Sequence, residues 1–135
     1  MTNRVYRVGI VGASSLAGKE VSDELGESLL GASNFVLLDD EDVAGQITSA
    51  GDEPAFIQAI ERASFDRMDF VFFAGGAEVT KKHWQDARRA GASIVDLTYA
   101  LEREKDVWCE RRGSLKHLQR KLRMECRSLI LRLPP

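Results

Sequence analysis

The stretch with the clearest chemical capacity is Gly9-Ile10-Val11-Gly12-Ala13-Ser14-Ser15-Leu16-Ala17-Gly18. Glycines between an apolar run and the first turn of a helix let the backbone come close to an anion. The helix's unpaired amides and positive dipole end then hold that anion. A carboxylate about 20 residues further on, at the end of a second strand, accepts hydrogen bonds from ribose hydroxyls. Asp39 stands 21 residues after Gly18. The spacing therefore predicts a phosphate cradle and a ribose acceptor, the two ends of a dinucleotide site. A nucleoside triphosphate loop is a different arrangement, with four residues between its glycines and Ser or Thr after its lysine to hold magnesium. Here five residues separate Gly12 from Gly18, and Glu20 follows Lys19, so that chemistry is not expected.

These groups need strands and helices to position them. Val8, Ile10 and Val11 form a nearly continuous apolar run, the pattern of a strand buried on both faces. From Ser15 onward Ala17, Val21, Leu25 and Leu29 recur every four residues, predicting an amphipathic helix that stops at Gly31. Phe35-Val36-Leu37-Leu38 reads as the second strand, closed by Asp39-Asp40-Glu41-Asp42. Residues 43–54 read as a loop with a brief edge strand at Gln46–Thr48, and Ala63–Arg67 as a helical turn; Ala55–Ile60 suits either a strand or a helix, and its shortness and the preceding Pro54 favour the strand. Phe70–Phe73 and Ser93–Asp96 are further buried strands, with a helix between them on the face of Val79, His83, Trp84, Ala87 and Ala90. Apolar strands alternating with helices predict an α/β fold, a doubly wound and mainly parallel sheet. On this pattern Trp84 belongs to the core, and His83 is a packing or surface residue rather than a catalyst.

The chain has 135 residues, 44 % hydrophobic and 30 % charged, with a net charge of −2. That is enough chain to bury a core and too ordinary a composition for wholesale disorder. The charge is divided unevenly. Residues 1–101 hold 9 Lys and Arg against 16 Asp and Glu, a net of −7, whereas residues 102–135 hold 10 against 5, a net of +5. The chain is accordingly divided into a body, 1–101, and a basic tail, 102–135. In the tail Leu115, Leu118, Leu122, Cys126 and Leu129 stand at helical spacing among basic residues, which predicts a short basic amphipathic helix. Such a helix suits packing on its own domain or on a partner better than nucleic acid. The two cysteines, Cys109 and Cys126, have neither metal-ligand nor disulfide-framework spacing, and no metal site is expected. No secretory leader and no apolar run near 18 residues occurs, so a cytoplasmic protein that keeps clear of membranes is expected.

Three segments, VGIVGASSLAGKEV, FAGGAEVT and AGASIVDLTYA, resemble in order and spacing the N-terminal dinucleotide-binding (Rossmann) domain of the aspartate-semialdehyde dehydrogenase family, over about residues 4–101. Enzymes of that family interconvert an acyl phosphate and a semialdehyde with NADPH or NADH, through a cysteine thioester. The resemblance implies cofactor contacts from Gly12, Ala13, Ser14, Leu16 and Gly18. Ser15 stands where the family has its middle glycine. Ala74, Gly75 and Gly76 match the stretch beside the nicotinamide, and Thr98 a position near the cofactor. Leu97 replaces a usual asparagine. Glu102 replaces the substrate-phosphate arginine, with Arg103 one place off. The Asn-Cys-Ser/Thr nucleophile is absent, so no catalytic residue is assigned and the chain reads as catalytically incomplete. Family members that use NADP place serine, arginine or threonine after the second strand. Asp39 and Asp40 at that place favour NAD. The alternative reading is a non-catalytic Rossmann module for self-association or partner binding. The family pattern ends at about Leu101, where the charge balance reverses. A shifted reading frame accounts for both changes, and an evolved helix is the competing explanation.

Overall fold

The computed structural model describes residues 5–28, 34–50, 53–101 and 104, together with the strands Trp108–Glu110 and Leu129–Arg132. Strand β1 (Arg7–Val11) leads into helix α1 (Leu16–Gly26) and then β2 (Asn34–Asp39). A single 3-10 turn at Glu41–Val43 precedes the hairpin of β3 (Ile47–Ala50) and β4 (Glu53–Ala59). A second such turn, Arg62–Phe65, leads to β5 (Phe70–Phe73), helix α2 (Ala77–Arg89) and β6 (Ser93–Asp96). Strands β7 (Trp108–Glu110) and β8 (Leu129–Arg132) extend the same sheet.

The sheet order is β3-β4-β2-β1-β5-β6-β8-β7. Among the described residues only β3 with β4 pairs antiparallel; β1 pairs parallel with β2 on one side and β5 on the other. The chain therefore moves outward from β1 to β2 and β4, then returns to the other side of β1 for β5 and β6. That reversal opens a crevice at the carboxyl ends of β1 and β5, where doubly wound sheets bind ligands.

Both faces of β1 are covered, which explains its unbroken apolar run. Ile10 packs with Ala13, Leu37 and Ile57 beneath Val21 and Leu25 of α1. Val11 packs on the opposite face with Leu38, Phe65, Val71, Phe73 and Trp84. Complete burial of each large aliphatic or aromatic side chain contributes about 1.5–3 kcal/mol. Trp84 is core, as expected.

The buried face of α1 differs from the expected stripe. Ala17 is exposed, while Gly18 and Ser22 are buried. Small residues win because the helix lies against the turn that precedes it: a Cβ at Gly18 would stand 2.2 Å from the Gly12 carbonyl oxygen. Ser22 Oγ donates to the Ser49 carbonyl of β3 at 3.3 Å. The helix ends at Gly26, and Leu29 and the expected stop at Gly31 lie outside the described residues.

The expected tail helix over Leu115–Leu129 falls mostly outside the described residues, but its last position does not. Leu129 opens β8, in register with β6 through Ile94↔Ile130 and Val95↔Leu131. The run Leu129-Ile130-Leu131 is continuous rather than periodic, the signature of a strand within a parallel sheet. Among the described residues no helix is long and apolar enough to cross a membrane.

His83, on α2, is half-buried beside the Phe65 ring, with centroids 6.4 Å apart. Burial and the neighbouring Lys82 lower its pKa below the ordinary 6.5, against the opposing pull of Asp86 and Asp40. A folded state that disfavours protonation binds fewer protons than the unfolded chain, so its stability rises with pH across this window. The contribution is intact above pH 6.5 and is lost as pH falls through the lowered folded value. Urea midpoints of the chain should fall on acidification from pH 7 to 5. His83→Gln should remove part of that slope, and an identical slope in the variant would assign it to other groups.

Candidate functional site

The carboxyl ends of β1, β2 and β5 converge on the glycine turn. Gly12 has φ +82°, a left-handed conformation that L side chains rarely adopt, and a Cβ there would stand 2.3 Å from Gly75 N and Cα. The turn and the β5–α2 loop thus meet backbone to backbone. Gly12 N and Ala13 N donate to the Leu38 carbonyl of β2, and Ala74 N donates to the Val11 carbonyl of β1. Ala13 and Ala74 are buried, Gly75 is half-buried, and Gly76 lies exposed at the start of α2 with open space beside its Cα.

Two consecutive serines tie the turn to strands on opposite sides. Ser14 donates to Asp39 Oδ2 from its amide at 2.9 Å and from its hydroxyl at 2.5 Å. Ser15 is the N-cap of α1: its Oγ accepts the Gly18 amide at 3.0 Å. The same hydroxyl reaches the Gly12 carbonyl at 2.7 Å and the Ala74 carbonyl at 3.0 Å. Of the first-turn amides of α1, those of Leu16 and Ala17 have no partner within the helix. Both residues face solvent, Leu16 with 75 % of its surface exposed.

Asp39 is only 8 % exposed, so its carboxylate is drawn into the turn rather than held out beyond β2. Its other oxygen accepts the Asp40 amide at 2.9 Å. A carboxylate offers roughly four acceptor positions, and these bonds use three of them. Asp40, Glu41 and Asp42 are exposed just beyond it.

Thr98 is brought to the same end of the sheet, but its hydroxyl is turned inward. It lies 2.6 Å from Asp96 Oδ1 and 2.9 Å from Thr80 Oγ1. Sequence reasoning missed Asp96 as an anchor. It is 4 % exposed and accepts the amides of Thr98 and Leu101 at 2.8 and 3.1 Å. An Asp closing an apolar strand two residues before a Thr is the available signal, since Asp bonds its own backbone two residues on. Among the described residues no cluster of three or more His, Cys, Asp or Glu side chains could hold a metal.

A glycine turn at the switch point of a parallel sheet, with open helix amides above it, defines a Rossmann-type dinucleotide-binding domain. Residues 7–110 match the family "Semialdehyde dehydrogenase, NAD binding domain", and the chain belongs to that family. The match runs past Leu101 to the end of β7. A USG-1 protein homolog from Pseudomonas aeruginosa is 32 % identical over 95 residues, covering 70 % of this chain and 28 % of the relative. An aspartate-semialdehyde dehydrogenase from Prochlorococcus marinus is 28 % identical over 105 residues, covering 78 % of this chain and 31 % of the relative. The chain therefore spans less than a third of these curated relatives.

Two solved structures share the fold. One is the aspartate semialdehyde dehydrogenase II of Vibrio cholerae, solved in complex with ASA, with TM-score 0.82 and 20 % identity over 97 % of this chain and 43 % of that one. The other is the aspartate semialdehyde dehydrogenase of Candida albicans with NADP, with TM-score 0.69 and 17 % identity over 96 % of this chain and 42 % of that one.

Proposed function

We propose that this chain binds NAD(H) in preference to NADP(H), as the cofactor-holding part of semialdehyde dehydrogenase chemistry. The amides of Leu16 and Ala17 would hold the pyrophosphate, Asp39 at the end of β2 would accept from the adenosine ribose, and Ala74–Gly76 would flank the nicotinamide half. The observation that carries the preference is the acidic end of β2. Asp39 keeps one acceptor position for a ribose hydroxyl, and the exposed Asp40, Glu41 and Asp42 surround the place where a 2′-phosphate would lie. Placing a phosphate among those carboxylates costs about 1–3 kcal/mol, a factor of roughly 5 to 150 in affinity. The 135 residues contain no Asn-Cys-Ser/Thr nucleophile, so the proposal assigns them binding and not the covalent step. Calorimetric titration at fixed salt tests the preference. NAD should bind at least about fivefold more tightly than NADP, and tighter NADP would overturn it.

A further inference from the structure

Ser15 does more than cap a helix. Its oxygen accepts the buried Gly18 amide, and its single proton is shared between the carbonyls of Gly12 and Ala74. Gly12 belongs to the turn after β1 and Ala74 to the loop after β5, so one side chain joins the two walls of the crevice. The walls also touch where Gly12 meets Gly75, at a separation that leaves no room for a Cβ. A glycine at position 15, as the family pattern expects, makes none of these bonds.

We propose that Ser15 is a positioning residue: its hydroxyl latches the β1–α1 turn to the β5–α2 loop and holds the crevice at its dinucleotide-binding width before ligand arrives. The inference rests on the dinucleotide reading above. Prepaid ordering of the loops appears as affinity, because binding then spends less on fixing them. Removing the hydroxyl also leaves the buried Gly18 amide without its capping acceptor.

The test compares the full chain with Ser15→Ala and Ser15→Thr, using NADH as probe, thermal midpoints, and amide exchange of residues 74–76 without ligand. Ser15→Ala should weaken NADH by roughly tenfold and speed exchange at 74–76. Ser15→Thr, which keeps the hydroxyl, should restore both. If Ser15→Ala loses only thermal stability, with NADH affinity and exchange at 74–76 as in wild type, Ser15 is an ordinary cap and the proposal falls. Failure of the wild-type chain to bind NADH would overturn the dinucleotide reading, and with it the role of Ser15 in binding. Should Ser15→Ala fail to fold, Ser15→Asp keeps the capping acceptor but has no proton for Ala74. It should expose 74–76 to exchange while α1 stays protected, and unchanged protection at 74–76 contradicts the latch.

Discussion

Gly12→Ala should lose a large part of the chain's folding stability. Two costs add at this position. A non-glycine residue in the left-handed region costs about 1–2 kcal/mol. Forcing a methyl group into packed backbone costs about 1–3 kcal/mol more, and here the obstacle is Gly75 N and Cα at 2.3 Å, which no side-chain rotation relieves. The expected loss of about 2–5 kcal/mol compares with a total of about 5–15 kcal/mol for a domain of ordinary stability. Gly91 supplies the control. Its φ is +89°, but nothing lies within 4 Å of an added Cβ. Gly91→Ala should therefore show the conformational cost alone, and the difference between the two urea midpoints isolates the contact of turn and loop. Equal losses in the two variants would mean that the walls of the crevice are not in contact.

Asp96→Ala should produce the second large effect, of about 3–5 kcal/mol, because it removes a buried carboxylate that accepts from two backbone amides, one of them in the interior. The carboxylate accepts from Thr98 N, Thr98 Oγ1 and Leu101 N, and Leu101 is fully buried. Thr98 Oγ1 in turn meets Thr80 of α2, so the bond set ties the loop after β6 to the helix beside the crevice. Asp96→Asn keeps one acceptor oxygen and should fall between wild type and Ala in denaturant titrations. An Ala variant within about 1 kcal/mol of wild type, a loss typical of one ordinary hydrogen bond, would contradict this anchoring role.

Much of this was legible in the residues, and for identifiable reasons. Val8–Val11, Phe70–Phe73 and Ser93–Asp96 read as buried strands because a sheet covered on both faces leaves no polar alternation. The edge hairpin was legible at Gln46–Thr48 and Ala55–Ile60, although Ile47 and Phe56, exposed at 66 % and 64 %, break the apolar-inside rule there. Close approach of backbones was harder to read. The contact face of α1 carries Gly18 and Ser22, residues that a hydrophobic stripe counts as polar or neutral, so the stripe puts Ala17 in the core instead. Asp39 was located correctly at the end of β2. Its inward turn depends on Ser14, a partner 25 residues away in sequence that spacing alone does not select. The leucine spacing of the tail suited a helix, but Leu129 pairs into the sheet, because tertiary pairing with β6 overrides a local pattern.

The central claim is that a dinucleotide lies across the β1–α1 turn, the end of β2 and the β5–α2 loop. The most direct measurement is backbone amide chemical shifts of the full chain during titration with NAD. Leu16, Ala17, Asp40, Gly75 and Gly76 should shift together along one saturable curve, while β3 and the outer residues of β4 stay in place. Shifts confined to other surfaces, or no shifts at millimolar NAD, would contradict the account.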